Sequence, residues 1–368
     1  MNVVVTGAGG FIGRRVVTAA VGAGHQVRSV TRSTPMPETR AALKEADAVI
    51  HLAGVNRPED PAEFQAVNAD YTAALCDSID ASRAPIIVFS SSTQSGNDTE
   101  YGRTKRSAEE CLERLGAKGA RVAIFRLPNV YGPGARPNYN SAVATFAFNA
   151  ATGKPLEVHD AARELSLVYV HDVAGAMVDT LANPPAPGAT VRSAEPVHCA
   201  TVGRLAELFR GFAASRSTQR VPDVSSDLAK RLYATYLSHL PEGAFAYHLP
   251  AKEDNRGALA EFLKSEGAGQ IFVSRTLPGV TRGNHFHHTK TEKFLVLEGD
   301  AVIRFRRVDG AGTVLEYPVS GRQFRVVDIP PDYTHSIENV GAGELVVLFW
   351  ACEIFDPAAP DTTPLNVR

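Results

Sequence analysis

The chain has 368 residues, more than one ordinary hydrophobic core accommodates, and this length predicts two domains. Apolar residues make up 44% and charged residues 21%, as in soluble globular proteins, and the formal net charge of -2 gives no electrostatic reason to expect nucleic acid or an anionic membrane as partner. No apolar run approaches the ~20 residues of a membrane-spanning helix, the first residues lack a signal-peptide pattern, and the 4 cysteines form no CxxC pair. We therefore expect a cytoplasmic protein with reduced thiols.

The first part of the chain alternates short β-rich runs with helical stretches. The clearest β-rich runs are predicted strands at 3–6, 26–31, 48–52, 86–90 and 122–127. Helical patterns cover 13–21 and 101–115. This alternation is typical of an α/β, Rossmann-like, doubly wound parallel sheet with helices on both faces.

Farther along the chain the pattern changes. Prolines at 184–187 mark a loop, and helical patterns follow at 201–212 and 225–240, the second with a capping serine and an early Asp227. From about residue 245 onward the pattern predicts short strands separated by glycine turns. These predicted strands are at 271–276, 293–298, 301–307, 314–318, 323–329 and 344–352. This pattern predicts an all-β antiparallel barrel or jelly roll and divides the chain into domains at 1–243 and 244–368.

A glycine-rich turn, TGAGGFIG at 6–13, stands between the first predicted strand and the first predicted helix. In such a turn Gly7 permits the sharp bend, Gly10 lets the backbone approach a pyrophosphate, and Gly13 allows close packing of helix on strand. The helix N-terminus then faces the phosphates with unpaired N–H groups. A tight turn without a ligand would also explain the glycines, but their position favours a dinucleotide site.

The end of the second predicted strand bears on the choice of dinucleotide. An acidic residue there would accept a hydrogen bond from the ribose 2′-hydroxyl of NAD, but this chain has Thr31-Arg32. A guanidinium suits a 2′-phosphate, and the alternative is an arginine that only faces solvent. The pattern predicts NADP(H).

Tyr101 and Lys105 lie one turn apart on one face of a predicted helix. A nearby ammonium lowers the pKa of a phenol, so tyrosine can exchange a proton with a carbonyl or alcohol oxygen. A hydroxyl of the serine-rich run 90–93 could hydrogen-bond the same oxygen. YxxxK alone occurs by chance in many proteins, but its order after the glycine turn and the serine run indicates a reductase site.

These motifs resemble the extended short-chain dehydrogenase/reductase family. The matching segments are TGAGGFIG at 6–13, HLAG at 51–54, SSS at 90–92, YxxxK at 101–105 and RLPNVYGP at 126–133. The resemblance implies that Tyr101 is the catalytic acid and that Lys105 is its partner and a nicotinamide-ribose ligand. It also implies Ser92 as the hydroxyl that orients the carbonyl, with Ser91 and Thr93 as alternatives because the spacing to Tyr101 is short.

The same resemblance implies the cofactor and substrate contacts. Asn129 stands where relatives contact the sugar nucleotide. The predicted cofactor-binding residues are Gly7, Gly10, Phe11, Ile12, Arg32, Leu52, Ala53 and Lys105. One departure concerns the adenine side, because the short segment between Arg32 and Asp47 lacks the pattern of a third strand, which predicts an unusual adenine site.

Three histidines and a glutamate in the β-rich part have the spacing of metal ligands. Strand alternation puts His285 and His287 on one face, and Glu292 and His335 on later strands complete the set. Such mixed ligation suits a divalent Zn, Fe, Mn, Ni or Cu ion, with Zn predicted. The alternatives are a surface cluster of histidines or a site that has lost its metal. His288 points to the opposite face and is not a predicted ligand.

The spacing of these ligands resembles the two motifs of the cupin family. The first motif matches in full, whereas the second has Asp332 where the family usually has glycine. Upstream, EDNRG at 253–257 with Glu261 resembles a segment of deoxysugar-nucleotide epimerases, which are cupins too. That resemblance implies Arg256 and Glu261 as substrate-binding residues.

Over its whole length the chain resembles the bifunctional, CapF-type enzymes of capsule biosynthesis. The resemblance implies that the cupin epimerises a UDP-2-acetamido-2,6-dideoxy-4-hexulose at C3 and that the reductase then reduces the C4 ketone with NADPH. The product would be UDP-N-acetyl-6-deoxy-L-talosamine, a precursor of UDP-N-acetyl-L-fucosamine. The base of the epimerisation stays open among Lys252, His288 and Tyr333. Cupin relatives also imply a homodimer through the C-terminal domain.

Two other interpretations stay open at this point. In the first, the chain is a 4-ketosugar reductase whose cupin is only a metal-stabilised dimerisation module. In the second, it is a dinucleotide sensor without activity, although the intact pair of Tyr101 and Lys105 argues against a sensor.

Overall fold

The computed structural model describes residues 1–218, 220–249, 251–254, 257–260, 269–353 and 358–368, with only the backbone described for 251–254, 257–260 and 270. Two compact units divide the chain. The first consists of Met1–Tyr131, Asn138–Ser141 and Glu164–Ala200, and the second of Gly132–Pro137, Ala142–Arg163 and Thr201–Arg368. The domain limits expected from the sequence, 1–243 and 244–368, stay a prediction.

The described residues contain eight α-helices, four of which overlap the helices that the sequence pattern predicts at 13–21, 101–115, 201–212 and 225–240. Their bounds are α1 (Phe11–Gly22), α2 (Met36–Glu45), α3 (Tyr71–Cys76), α4 (Glu100–Ala117), α5 (Ala142–Ala151), α6 (Val170–Ala182), α7 (Val202–Thr218) and α8 (Asp227–Ser238). A π-helical segment, Phe64–Asp70, precedes α3. The predicted serine cap of α8 is Ser226, whose hydroxyl oxygen accepts a hydrogen bond from the Ala229 N–H at 3.1 Å.

The strands of the first unit form one large and one small sheet. Their bounds are β1 (Asn2–Thr6), β2 (Gln26–Val30), β3 (Ala48–His51), β4 (Ile86–Ser92), β5 (Arg121–Leu127), β6 (Asn129–Tyr131), β7 (Glu164–Tyr169), β8 (Gly188–Arg192) and β9 (Val197–Thr201). The large sheet has six strands in the order β2-β1-β3-β4-β5-β8, all parallel, and the small one has the order β6-β7-β9.

Alternating side chains of the large sheet fill two hydrophobic cores, one on each face. Val3 and Val5 contribute to the core that contains side chains of α1 and α6. Val4, between them, contributes to the opposite core with side chains of α2, α3 and α4. Because successive residues of a strand point to opposite faces, helices cover both sides of the sheet. The predicted Rossmann-like fold class is confirmed.

The edge of the large sheet differs from a full Rossmann sheet in the way the sequence predicts. Residues 32–47, all described, contain helix α2 and no strand, so β2 is the edge strand and pairs with β1 alone. One edge of β2 therefore has no strand paired to it, on the side where a further parallel strand would normally lie.

The β-rich part of the second unit forms two five-stranded sheets and a hairpin. Its strands are β10 (Ala246–His248), β11 (Ala251–Asp254), β12 (Gly257–Ala260), β13 (Gln270–Thr276), β14 (Thr281–Phe286), β15 (Glu292–Glu298), β16 (Asp300–Arg307), β17 (Leu315–Ser320), β18 (Arg325–Ile329), β19 (Tyr333–Asn339), β20 (Leu345–Ala351) and β21 (Thr363–Pro364). One sheet has the order β10-β18-β15-β20-β13, the other β17-β16-β19-β14-β21, and their pairs are antiparallel. This confirms the expected all-β class for the C-terminal part.

The loop before β19 has a backbone conformation that favours glycine at the position of Asp332. Asp332 adopts a positive φ of +63°, a conformation that L-residues rarely take and that aspartate tolerates better than most. The Val308 N–H donates to the Asp332 carbonyl at 3.0 Å, which holds this turn in place. Asp332 therefore takes a left-handed conformation at the position where glycine would be unstrained.

A buried ion cluster joins helix α7 to the sheet that contains β15 and β18. Lys293 Nζ donates to Asp328 Oδ1 at 2.5 Å, and Arg216 donates to the other carboxylate oxygen. Only 4% of the Lys293 side chain and 1% of the Asp328 side chain are exposed. Burial favours a neutral amine, but the Asp328 charge outweighs it and holds the pKa of Lys293 above its ordinary value.

No helix among the described residues is both long enough and apolar enough to cross a membrane.

Candidate functional site

The glycine-rich turn follows β1 and lies against the loop after β3. Gly7 has a φ of +67°, and a Cβ there would stand 2.7 Å from backbone atoms of Leu52 and Ala53. A Cβ on Gly13 would stand 2.1 Å from the Gly7 carbonyl oxygen. No side chain fits at these two glycines, and the close approach brings Gly7, Leu52 and Ala53 together at the carboxyl edge of the sheet.

Helix α1 leaves its first turn without a side-chain cap. The residue before it is Gly10, and Phe11 and Ile12 supply the first N–H groups of the helix. These groups have no partner within the helix, and the positive end of the helix dipole lies there as well. The arrangement suits the pyrophosphate of a dinucleotide.

The turn after β2 carries three hydroxyls around Arg32. The Thr31 N–H donates to Thr34 Oγ1 at 3.0 Å, and Thr31 Oγ1 lies 3.0 Å from Ser33 Oγ. A Cβ on Gly9 would stand 3.8 Å from Thr31 Cγ2, so this turn borders the glycine-rich turn. Arg32 itself is exposed. Phosphate oxygens accept hydrogen bonds from hydroxyl and guanidinium groups such as these.

His51 is a buried, neutral residue between the sheet and helix α3. The Thr72 hydroxyl donates to the Asn68 carbonyl at 2.7 Å, so it accepts from His51 Nε2, 2.9 Å away. The other ring nitrogen, Nδ1, then accepts from the Thr6 hydroxyl at 2.6 Å. Burial, aided by the charge of Lys105, lowers the pKa of His51 to about 3.

The loop after β3 is held from two sides by side chains that the sequence motifs do not identify. Thr6 Oγ1 accepts from the N–H groups of Leu52 and Ala53 at 3.2 and 3.3 Å. Asn68 brackets Val55, accepting from its N–H and donating to its carbonyl, both at 2.9 Å. Since these contacts join distant parts of the chain, the spacing of residues along the sequence carries no signal for them.

Tyr101, Lys105 and Ser92 come together between α4 and the end of β4. Lys105 Nζ donates to the Ser90 carbonyl at 2.7 Å and lies 4.8 Å above the Phe89 ring. Burial lowers the pKa of Lys105 to about 8, so the amine is charged at neutral pH. Burial also raises the pKa of Tyr101, although a hydrogen bond with Ser92 opposes the shift.

The direction of the Tyr101 shift differs from the lowering that the sequence predicts. Burial of the phenol outweighs the hydrogen bond with Ser92, because a low-dielectric surrounding disfavours the phenolate. Tyr101 is therefore a protonated phenol at neutral pH, which is the form that donates a proton.

The neighbouring hydroxyls of the serine run have other surroundings. The Ser91 hydroxyl donates to the buried carboxylate of Glu109, which Arg126 also contacts through two nitrogens. Thr93 is exposed. Of the three alternatives, Ser92 is the one whose hydroxyl hydrogen-bonds to Tyr101. This favours Ser92 as the hydroxyl that orients the carbonyl.

Asn129, the predicted substrate contact, begins β6 and is exposed. Its side-chain Nδ2 donates to the Ser166 carbonyl on β7 at 3.0 Å, which fixes the orientation of the amide. Nearby in the same unit, Arg57 Nη1 donates to the Tyr139 carbonyl at 2.7 Å.

The four predicted metal ligands converge between the two sheets of the all-β part. One ligand atom from each of His285, His287, Glu292 and His335 lies within 4.8 Å of the others. His285 and His335 face each other across β14 and β19, His287 follows β14 directly, and Glu292 begins β15 on the other sheet. Long-range strand pairing therefore completes the set that the sequence predicts.

The protonation states of this cluster suit a cation. Burial, together with its histidine neighbours, lowers the pKa of His285 to about 4, and burial lowers the pKa of His335. Burial opposes ionisation of Glu292, but the adjacent His287 and His335 rings outweigh it and hold the pKa of Glu292 well below its ordinary value. Neutral imidazoles and an ionised carboxylate are the forms that bind a metal.

His335 supplies an independent test of whether a metal fits. Its ring is fully buried, and within the described part of the chain neither ring nitrogen has a hydrogen-bond partner. A buried polar atom without a partner destabilises the fold unless something satisfies it. A divalent ion between these four ligands would satisfy His335, so the residues fit the predicted group.

Comparison with known proteins places both parts of the chain. Residues 3–191 match the NAD dependent epimerase/dehydratase family, and residues 252–363 match the polysaccharide biosynthesis C-terminal domain. A Pseudomonas aeruginosa protein named UDP-2-acetamido-2,6-beta-L-arabino-hexul-4-ose reductase is 42% identical over 370 residues, which span 100% of this chain and 99% of that protein. The crystal structure of the capsular polysaccharide assembling protein CapF from Staphylococcus aureus is 40% identical, with a TM-score of 0.67 and full coverage of both chains.

The chain belongs to the CapF-like epimerase/reductase family. The resemblance that the motifs suggest is thus confirmed at the level of the family.

Some predicted residues of this CapF-like chain are not placed by the structure. Arg256 and Glu261, the predicted substrate contacts, lie outside the described residues, and so does the side chain of Lys252. His288 pairs with Asp361 at 3.3 Å and is not one of the four converging ligands, as predicted. Tyr333 is buried and donates to Glu242 Oε1 at 3.3 Å.

Proposed function

We propose that this protein is an NADPH-dependent 4-keto reductase of a UDP-linked 2-acetamido-2,6-dideoxyhexulose that also epimerises the sugar at C3. The name of the Pseudomonas aeruginosa relative supports a UDP-keto-sugar as substrate. The observation that carries the proposal is the protonated Tyr101 phenol beside Ser92 and a charged, buried Lys105. The proposed product is UDP-N-acetyl-6-deoxy-L-talosamine.

In the proposed reduction, Tyr101 gives a proton to the C4 oxygen of the sugar. Bound NADPH would supply the hydride to C4. The Ser92 hydroxyl orients the ketone, and its hydrogen bond to Tyr101 steadies the phenol. The Lys105 ammonium, held by the Ser90 carbonyl, stabilises the tyrosinate that is left behind.

The proposed epimerisation takes place in the all-β part before the reduction. A ketone at C4 acidifies the hydrogen at C3, so a base can remove that hydrogen and return a proton to the opposite face. A divalent ion held by His285, His287, Glu292 and His335 would supply positive charge beside the enolate. His288 and Tyr333 remain open as the base, as does Lys252. A homodimer through this part remains a prediction.

The test measures both reactions in one sample. NADPH oxidation at 340 nm is followed with a UDP-4-keto-6-deoxy-N-acetylhexosamine in deuterated water, and deuterium at C3 is read by mass spectrometry. We expect wild type to oxidise NADPH and to incorporate deuterium, and the His285→Ala variant to lose incorporation. The same assay with NADH in place of NADPH tests the cofactor preference that Arg32 predicts.

The alternative function gives a different result in the same experiment. If the metal ion and the all-β part only stabilise a dimer, wild type and His285→Ala both oxidise NADPH on the correctly configured ketone and neither incorporates deuterium. Four protein ligands leave less room for a substrate at the ion than three, which is the observation that favours this alternative. Absence of NADPH oxidation in wild type would contradict both functions.

A further inference from the structure

The C-terminal segment 358–368 lies along the strand that carries His285. Strand β21 pairs antiparallel with β14, with Pro364 opposite His285 and Thr363 opposite Phe286. Beyond it, the Leu365 N–H donates to the Asn284 carbonyl at 2.9 Å. The end of the chain is therefore an added strand on the sheet that supplies two of the histidines.

Asp361, just before this strand, binds the turn between two of the predicted metal ligands. Its carboxylate oxygens accept from the backbone N–H groups of His288 at 2.8 Å, Thr289 at 2.7 Å and Lys290 at 2.6 Å. The Thr289 hydroxyl adds a fourth hydrogen bond at 2.9 Å. Consecutive N–H groups converging on one carboxylate fix both the turn and Asp361 itself.

The backbone carbonyl of Asp361 contacts the ligand His287 directly. His287 Nδ1 lies 2.5 Å from the Asp361 carbonyl oxygen, and a carbonyl can only accept, so Nδ1 carries the proton. In a neutral ring with this tautomer the lone pair is on Nε2, which faces the cluster and lies 3.3 Å from Glu292 Oε2. This single contact selects the tautomer and the ring orientation that a metal ion requires.

We propose that Asp361 is the positioning residue of the metal centre and that the segment 358–368 is a required part of that centre. The carboxylate clamps the turn after His287, and the carbonyl of the same residue orients the His287 ring. Metal binding and docking of the segment then reinforce each other, since each favours the arrangement the other needs. This inference rests on the metal ion of the proposed function.

The experiment compares three variants by their affinity for Zn²⁺. Asp361→Ala removes the clamp, and Asp361→Asn replaces one accepting oxygen by a donor that faces N–H groups. Asp309→Asn is the matched control, because Asp309 also accepts from a backbone N–H, that of Ala311 at 3.0 Å, and pairs with Arg307, but contacts no metal ligand. Chelator competition on the metal-free proteins gives the dissociation constants.

We expect Asp361→Ala to weaken Zn²⁺ binding by about 10- to 100-fold, Asp361→Asn by less, and Asp309→Asn not at all. The visible absorption of the Co²⁺ forms adds a readout that a purely structural role would leave unchanged. It should shift in the Asp361 variants, because the geometry around His287 changes, and stay constant in the control.

Hydrogen exchange of the wild type keeps the inference testable if Asp361→Ala does not fold. Adding Zn²⁺ should slow exchange of the Thr289, Lys290 and Leu365 amides. Equal exchange with and without Zn²⁺, or equal affinity of wild type and Asp361→Ala, overturns the inference and leaves the proposed metal site standing. Failure of the wild type to bind Zn²⁺, Co²⁺ or another divalent ion overturns the metal site and the inference together.

Discussion

The buried polar groups around Tyr101 satisfy one another, whereas the four-ligand cluster in the all-β part leaves one of its histidine rings without a hydrogen bond among the described residues. Near Tyr101, the Lys105 amine donates to the Ser90 carbonyl, and Glu109 is bound by the Ser91 hydroxyl and by Arg126. In the other cluster, His335 has no hydrogen-bond partner for either ring nitrogen among the described residues.

This difference shows two ways in which a buried site is prepared for chemistry. Around Tyr101 the protein itself supplies the opposite charges and hydrogen bonds, so the site is complete before any ligand arrives. The four-ligand cluster concentrates lone pairs that a cation would satisfy, so its binding energy contributes to the stability of the fold. The first site should tolerate loss of its cofactor, and the second should not tolerate loss of its metal.

The largest effect should come from Tyr101→Phe, which removes the proton donor and keeps the ring. We expect the rate of NADPH oxidation with the UDP-4-keto sugar to fall by about 10³-fold, the usual contribution of a positioned general acid. Zn²⁺ affinity and the circular dichroism spectrum should match wild type, because Tyr101 belongs to the first unit and phenylalanine keeps its ring. An activity above a tenth of wild type would show that another group donates the proton.

Asp328→Asn tests what happens when a buried charge of the second unit loses its oppositely charged partner. Lys293 is buried and would lose its partner, so the free energy of unfolding should fall by about 3–5 kcal/mol. Denaturant unfolding followed by the fluorescence of Trp350, the single tryptophan, measures the effect. Asp309→Asn, at a loop, should change stability by less than about 0.5 kcal/mol. A similar value for both variants would mean that the cluster contributes little.

Withdrawal of the metal tests the dependence of the all-β part on its ligand. An ion present at about 100 times its dissociation constant stabilises the bound form by about 2.7 kcal/mol. A chelator should therefore lower the Trp350 unfolding midpoint by about 5–10 °C. The chelator should have no effect on His285→Ala, which has already lost a ligand. An unchanged midpoint in the wild type would show that the cluster holds no ion.

The smallest expected effect is a pH dependence from His51 in the first unit. The folded chain keeps this ring neutral with a pKa of about 3, so between about pH 6.5 and pH 3 the unfolded chain binds one more proton. Stability is thus complete above pH 6.5 and falls as the pH drops, by about 2 kcal/mol at pH 5.

The His51→Gln variant isolates this contribution, because glutamine hydrogen-bonds to Thr6 and Thr72 without titrating. The difference in free energy of unfolding between wild type and variant should change by about 2 kcal/mol between pH 7.5 and pH 5. A constant difference across that range would assign the pH dependence to other groups.

Short-range sequence patterns predicted the features that depend on residues close together in the chain. The glycine turn, the strand ends and the face shared by Tyr101 and Lys105 depend on neighbours within a few residues, and the structure has them where the sequence predicts. The four candidate metal ligands could be grouped from their cupin-like spacing along the chain, even though Glu292 and His335 lie on different sheets.

What the sequence determined by itself is the alternation of strands and helices in the first part, the two fold classes and the residue types that carry the chemistry. The tertiary structure decided which way each group acts: burial raised the pKa of Tyr101 where a nearby ammonium predicted lowering, and it made His51 neutral. It also brought the backbone carbonyl of Asp361 to the His287 ring, which lies 74 residues earlier in the chain. Desolvation and long-range hydrogen bonds depend on the whole packed fold, and no spacing along the chain encodes them.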